Sequence, residues 1–305
     1  MHHRLLTLHC LSPLHCGTGQ GVAGIDLPVQ RERHTGWPLI PGSSIKGVLR
    51  DAYRASLENI ASGDTPQAQR ANEDPRTIAL FGPEPKGAVN DLGLGALILG
   101  DAILLAFPVR SLVGVFAWCT CPMALSRLAR LPGGDALASV SALDIKDEQI
   151  LCDAGLQADG DQVILEDHAL TRSALPPDLT GHLARLWDAQ AATMLPQHLA
   201  VISDTLFTWF ARHATQVEAR IALDPATKTV TDGQLFYEET VPPETVFVAP
   251  VAAEDARHPK ADKTLGQAPA AVTALGDLVD GKTLQFGGKA TIGRGQCALR
   301  LTEGA

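Results

Sequence analysis

Pro41-Gly-Ser-Ser-Ile-Lys-Gly-Val-Leu-Arg50 decides how the chain is read, because it joins a loop to a run that is apolar at helical spacing. Ile45, Val48, Leu49, Ala52 and Tyr53 follow the Pro41-Gly42 breaker at intervals of three and four. The stretch predicts a serine N-cap and a helix from about Ser44 to Ile60. A helix start gathers free N–H groups and the positive end of the dipole, which together favour an anion. Lys46 and Arg50, four residues apart, share a face of that helix. Ser43, Ser44, Lys46 and Arg50 are therefore a candidate phosphate-binding group.

Upstream, Arg4 to Cys10 reads as a strand and Ser12 to Gly24 as a glycine-rich loop, in which glycine permits close approach of another backbone. Downstream, residues 61–93 are polar, acidic and proline-bearing, which predicts an insertion or surface loop rather than core. Gly95 to Phe107 and Leu112 to Cys119 are strand-like, and Pro122 to Leu131 is a short amphipathic helix. The pattern is weak from Gly133 to Pro177. Helices are then expected over His182–Met194 and Leu206–Thr215, with a strand over Leu199–Thr205 between them. Arg220 to Val241 reads as a hairpin about the turn sequence Asp224-Pro-Ala-Thr227. A strand over Thr245–Ala253, a helix over Ala268–Leu278 and a final strand over Cys297–Leu301 complete an α+β chain without regular βα alternation.

With 305 residues and 45% hydrophobic content, the chain has material for a packed core. Its longest apolar stretch, Leu92 to Val109, is broken by Gly93, Gly95, Gly100, Asp101 and Pro108 and is a poor membrane span. The N-terminus lacks an apolar run with a cleavage site, so a cytoplasmic location is expected. Cys10, Cys16, Cys119, Cys121, Cys152 and Cys297 form no Cys-x-x-Cys pair and are expected as buried free thiols. The net charge of −9 argues against a nucleic-acid binder only until it is divided along the chain. Residues 1–50 carry +3 and residues 282–300 carry +4, and a local basic groove is enough for phosphate.

The second basic segment holds Gly287-Gly288-Lys289 and Gly293-Arg294-Gly295. Two readings are open for this loop. It can cradle phosphate oxygens with backbone N–H groups, helped by the two cations, or it can be a tight β-turn whose glycines serve sterics. It is not a P-loop, since no Gly-Lys-Ser/Thr follows at the required spacing.

Pro41-Gly-Ser-Ser-Ile-Lys-Gly-x-x-Arg50 together with this terminal loop resembles the RAMP superfamily. Leu14-His-Cys-Gly-Thr-Gly-x-Gly-x-x-Gly-Ile-Asp-Leu-Pro-Val-Gln-Arg31 is similar to the backbone subunit of type III-B (Cmr) CRISPR effectors within it. Supporting matches are Phe107-Pro-Val-Arg-Ser111, Trp118-x-x-Cys-Pro122, Thr227-Lys-Thr-Val230, Leu235-Phe-Tyr-Glu-Glu239 and Leu284-Gln-Phe-Gly-Gly288. No motif matches within residues 132–195. The resemblance implies a single RAMP domain over residues 1–305. This would be a modified RNA-recognition (ferredoxin-like) palm with an insertion near 61–93 and a protruding thumb hairpin near 220–241. It further implies partners: CRISPR guide RNA, target RNA, copies of the chain in a helical filament and other Cmr-complex subunits, with no membrane.

It also implies that the chain cuts the guide-paired target with a divalent metal, Mg2+ or Mn2+. Asp26 matches the family's cleavage aspartate, and a carboxylate on a glycine-rich loop can hold such a metal. By its residues alone Asp26 can also be an Asx-turn before Leu27-Pro28. His15 is a candidate acid, base or stacking platform, or a structural histidine. Tyr237, Glu238 and Glu239 lie near the hairpin, where a glutamate can add a second carboxylate or belong to an exposed acidic turn. Arg31, Arg33, Lys289 and Arg294 suit a guide backbone. Three rivals stand beside this reading: a non-cleaving structural backbone, a stand-alone guide-processing endoribonuclease, and an unrelated metabolic enzyme.

Overall fold

The computed structural model describes residues 1–19, 21, 24–57, 66–84, 93–132, 143–223, 226–227 and 230–303. In chain order these form β1 (His2–Cys10), β2 (Leu39–Ile40), α1 (Gly42–Ser56), α2 (Gln67–Glu73), α3 (Pro75–Phe81), β3 (Leu97–Leu99) and β4 (Ala102–Arg110). Then come β5 (Phe116–Thr120), α4 (Pro122–Ala129), β6 (Gln149–Cys152), β7 (Gln162–Leu165), β8 (His168–Ser173), α5 (Leu179–Ala184) and α6 (Ala189–His198). The last are β9 (Leu199–Ile202), α7 (Asp204–His213), β10 (Gln216–Leu223), β11 (Val230–Thr240), β12 (Val246–Ala253), α8 (Ala268–Val279), β13 (Thr283–Gln285) and β14 (Gln296–Glu303).

One sheet of 12 strands runs β13-β14-β1-β12-β4-β5-β9-β6-β8-β7, with β2 beside β4 and β3 beside β12. Both ends of the chain meet in it, since β1 pairs antiparallel with β12 and with β14. The α+β class holds. Successive side chains of a strand face opposite ways. Leu6, Leu8 and Cys10 of β1 enter one core while Leu5 enters the other, and β12 divides Phe247, Ala249 and Val251 from Val246 and Val248 in the same way. The first core also takes Ile45 and Leu49 of α1, Phe207 and Phe210 of α7 and Leu275 of α8. The second is built on Trp118, Leu125, Leu183, Trp187 and Leu195. Burial of each such side chain contributes roughly 1.5–3 kcal/mol. All six cysteines are free and buried. No helix among the described residues is long and apolar enough to cross a membrane.

Several boundaries differ from the sequence expectation for identifiable reasons. α1 starts at Gly42, its N-cap Pro41 makes no side-chain cap bond, and Asp101 Oδ1 accepts the Gly42 N–H at 2.7 Å instead. The expected serine cap is thus supplied from another segment, and Ser43 and Ser44 stand inside the first turn. Only glycine fits at Gly42, where a Cβ would lie 2.6 Å from Leu99 O. The helix stops at Ser56 rather than Ile60, because Leu57 turns extended; residues 58–60 lie outside the described set.

The expected strand over Gly95–Phe107 is two strands, β3 and β4, parted where Asp101 turns to cap α1. Within 61–93, residues 61–65 and 85–92 are outside the description, but α3 is core: Asp74 caps it by accepting the Arg76 N–H, and Ile78, Leu80 and Phe81 are buried. The helix expected over His182–Met194 is divided into α5 and α6 by Asp188, whose carboxylate accepts the N–H groups of Gln190 and Ala191.

The hairpin is present as β10–β11, a separate two-stranded sheet starting at Gln216. Its tip at Asp224–Thr227 lies partly outside the described residues. Val217, Ile221, Leu235 and Tyr237 are exposed on it, while its base enters the protein through Glu238, Glu239 and Thr240, which are buried.

Candidate RNA-binding and cleavage site

The glycine-rich loop leaves the body at Cys16 and returns at Gln30, whose N–H donates to Cys16 O at 2.6 Å. Inside it the Gly21 N–H donates to Asp26 O at 2.7 Å, and a Cβ on Gly21 would lie 2.3 Å from Ile25 O. The returning limb runs parallel to β11. Leu27 N donates to Tyr237 O and Glu239 N to Leu27 O, each at 3.0 Å. This register brings the Asp26 carboxylate to the Tyr237 N–H, which donates to Oδ2 at 2.7 Å. Asp26 is exposed and held at the foot of the hairpin, beside the exposed Tyr237.

Glu238 and Glu239 are not an exposed acidic turn; both are buried. Glu239 Oε1 accepts from Arg31 at 2.5 Å and from Thr215 Oγ1 at 2.7 Å, and Oε2 accepts the Val29 N–H at 3.0 Å. With both oxygens committed, Glu239 is a clamp for the Asp26 loop. Arg31, expected against a guide phosphate, is turned inward by the same geometry. Its terminal nitrogens donate to Gly36 O, Ala211 O, Thr215 Oγ1 and Glu239, four acceptors within the protein. Glu238 Oε2 lies 3.3 Å from Lys289 Nζ and 3.5 Å from Arg220 Nε.

The terminal glycine-rich loop meets this base. Gly287, Lys289, Gly293 and Gly295 all have positive φ, and a Cβ on Gly287 would lie 2.3 Å from His15 O. The N–H groups of Gly288, Ile292, Gly293, Arg294 and Gly295 all donate to carbonyls of the chain, so the tight-turn reading describes them. Charge at this loop comes from side chains. Arg294 donates to both oxygens of Glu218 at 2.8 and 2.6 Å, which holds that carboxyl below its usual range. Lys289 lies 5.7 Å from the Phe236 ring centroid. His15 is buried between the two loops: Nδ1 is 2.7 Å from Glu239 O, and Gly288 N donates to His15 O at 2.9 Å. That burial favours its structural reading over contact with a ligand.

The α1 group stands apart from this cluster. Lys46 Nζ donates to Leu97 O at 3.3 Å and Arg50 donates to Gly82 O. Burial, with help from Arg50, pulls the Lys46 ammonium below its usual range. Ser43 and Lys46 line a cleft of about 460 Å³ with Phe81, Leu94, Ile98 and Arg257.

Among the described residues no group of three or more His, Cys, Asp or Glu side chains could hold a metal ion. At the foot of the hairpin Asp26 presents an exposed carboxylate. That suits Mg2+ arriving with substrate phosphates and keeping its waters, not an ion caged by the protein. Sequence reading missed Glu218, Arg220 and Thr215. The signal available was alternation: Glu218 and Arg220 on β10 face the partners Glu238 and Phe236 on β11 once the register is known.

A model of the RAMP superfamily matches residues 7–298. The CRISPR system Cmr endoribonuclease Cmr4 of Pyrococcus furiosus is 31% identical over 314 residues, covering 98% of this chain and 95% of that one. Csm3, a CRISPR system Cms endoribonuclease of Enterococcus italicus, is 37% identical over 83 residues, 26% of this chain and 36% of its own. The crystal structure of oligomeric Cmr4 from Pyrococcus furiosus superposes with a TM-score of 0.68 at 26% identity, covering 99% of this chain and 98% of that one. A type III-B Cmr-beta complex bound to cognate target RNA contains a chain of the same fold, with a TM-score of 0.67 at 21% identity, covering 99% and 97%.

Proposed function

The chain belongs to the RAMP superfamily, and we propose that it is the backbone subunit of a type III-B (Cmr) CRISPR effector. In this reading copies of the chain line a guide RNA in the cytoplasm beside other Cmr subunits, and each cuts the target RNA paired to that guide. The reading is supported by the Pyrococcus furiosus relative, a Cmr endoribonuclease over nearly the whole length, and by the oligomeric form of its crystal structure.

The observation that carries the cleavage role is the exposed Asp26 carboxylate pinned by the Tyr237 N–H at the foot of the β10–β11 hairpin. A hairpin that interrupts the guide–target duplex would bring one target phosphodiester to that foot. Positioning is the chain's own contribution: Glu239 and Arg31 fix the loop, the Tyr237 amide fixes the carboxylate, and Lys289 and Arg294 supply positive charge. A divalent ion, Mg2+ or Mn2+, would be held by Asp26 and would polarise a phosphoryl oxygen or the attacking 2′-hydroxyl when bound. Guide phosphates would meet the α1 face of Ser43, Ser44, Lys46 and Arg50.

The test is Asp26→Ala in the assembled complex with Mg2+ present. Loss of cutting by about a thousandfold is expected, with guide and target binding retained. Cutting at the wild-type rate would return Asp26 to a turn residue and favour a non-cleaving backbone.

A further inference from the structure

The chain has four tryptophans. Trp37, Trp118 and Trp187 are 0% exposed, whereas Trp209 is 44% exposed on α7. Tryptophan is highly buried on average, so an exposed indole held in place by its neighbours is informative. Three rings hold this one: His168 of β8 at 5.1 Å, Phe210 at 5.3 Å and His213 at 5.4 Å between centroids. Their interplanar angles are 61°, 80° and 47°, so none of the three lies flat against the indole. The contacts fix the ring without supplying a parallel stacking partner.

Position gives this ring a use. α7 ends at His213, and only Ala214 and Thr215 separate it from β10. Thr215 Oγ1 donates to Glu239 at 2.7 Å, which ties the end of the helix to the hairpin base. Helical rise and chain length put Trp209 within about 16 Å of Gln216, Cα to Cα. Charge is not the attraction here. Arg212 donates to Thr35 O, Glu166 is paired with Arg110 at 3.0 Å, and Asp167 is exposed.

We propose that Trp209, flanked by His168 and His213, is a stacking platform for one unpaired nucleobase of an RNA strand that reaches the foot of the hairpin. This inference rests on the RNA-binding reading above and adds a base contact to a surface whose other candidate side chains, Tyr237 aside, are polar or charged. An unpaired base presents a π-face whatever its identity, so the platform tolerates sequence. Its contribution is insensitive to salt, unlike that of a lysine against phosphate.

Because the other three indoles are fully buried, the emission of Trp209 can be followed in the full-length chain. The probes are single-stranded oligoadenylate and oligouridylate, with an abasic ribose-phosphate oligomer of equal length as control, and binding is followed in parallel by anisotropy of labelled RNA. Both base-bearing oligomers should quench the exposed indole, and the abasic one should bind more weakly without quenching. Trp209→Phe should abolish the quenching while keeping affinity within about twofold, and Trp209→Ala should weaken binding about tenfold with the salt slope unchanged.

Several results overturn the proposal. One is RNA binding by the wild type without quenching, or equal quenching by the abasic oligomer; another is an alanine variant, folded as judged by its thermal melt, that binds like the wild type. An emission change that follows protein concentration without RNA would assign the ring to a second copy instead. Absence of any RNA binding by the wild type would remove the RNA-binding reading as well, which separates the two failures.

Discussion

The guanidinium of Arg31 lies 2.5 Å from Glu239 Oε1, and this pair fastens the loop bearing Asp26 to β11. Glu239 is only 3% exposed. A carboxylate taken out of water is tolerable while its cation and hydrogen bonds remain, and removing one partner leaves a buried charge uncompensated.

Arg31→Ala should therefore destabilise the chain by about 3 kcal/mol or more. Glu239→Gln keeps an acceptor for Val29 N–H and removes the stranded charge, so the double variant should recover part of that loss. Urea unfolding of the two singles and the double would measure it. A cost for Arg31→Ala below about 1 kcal/mol, the level of a surface pair, would show that the clamp is not built as described.

His9 gives a pH dependence. Its ring is 2% exposed in the side chain, with Nδ1 2.5 Å from Asp188 and Nε2 2.9 Å from Glu244. Burial by itself lowers its pKa, but the hydrogen bonds and charges of Asp188 and Glu244 prevail and raise it from 6.5 to about 9. A raised folded-state pKa on a base means stability fully present below pH 6.5 and lost as pH climbs through about 9. Asp188 behaves oppositely: the His9 hydrogen bond lowers it from 3.8 to about 2, so its contribution is lost as pH falls through that value. The urea midpoint of the wild type should drop between pH 6.5 and 9, and His9→Gln should flatten that drop. An equal drop in both proteins would place the titrating group elsewhere.

What could be read from the sequence followed from periodicity and punctuation. Ile45 and Leu49 mark the buried face of α1, and the unbroken run Val246-Phe-Val-Ala249 marks a strand covered on both faces. Asp26, Tyr237 and the two glycine-rich loops were found as separate motifs, and the structure brings them together. What was not readable depended on register. Tyr237 and Glu239 share strand parity, yet one is exposed and the other is buried among Arg31, Thr215 and Val29, partners that only the fold supplies. α3 was hidden for a different reason: its Asp74-Pro75 start signal lies in a polar stretch, and seven residues are too few to display a helical period. β6, β7 and β8, at four to six residues each, carry equally little pattern.

The α1 face should be electrostatic in character. Lys46→Ala with Arg50→Ala is expected to weaken guide RNA binding at low salt and to reduce the salt slope by roughly one to two, almost equally for every RNA sequence. Filter binding across a salt series is the measurement. Because both side chains also bond backbone carbonyls, at Leu97 and Gly82, a thermal melt must accompany it. An unchanged slope in a folded variant would move the guide off this face.

The sharpest test of the hairpin base concerns Glu218, whose two oxygens hold Arg294 at 2.8 and 2.6 Å. If Arg294 serves a phosphate, then Glu218 is its competitor, and the ion pair must open or be shared when RNA binds. Glu218→Gln removes the competing charge while preserving size and hydrogen bonding. The Glu218 side chain is 38% exposed, so removing its half of the pair should have little effect on folding. RNA affinity should then rise about two- to threefold at low salt, and the gain should vanish as salt screens the groups. Arg294→Ala should move affinity the other way, and the double variant should lie close to Arg294→Ala, with any residual gain coming through Arg220, which Glu218 also holds at 3.2 Å. Affinity that falls in Glu218→Gln would mean that the carboxylate presents the arginine to RNA, and equal affinity in all three variants would remove Arg294 from the RNA path.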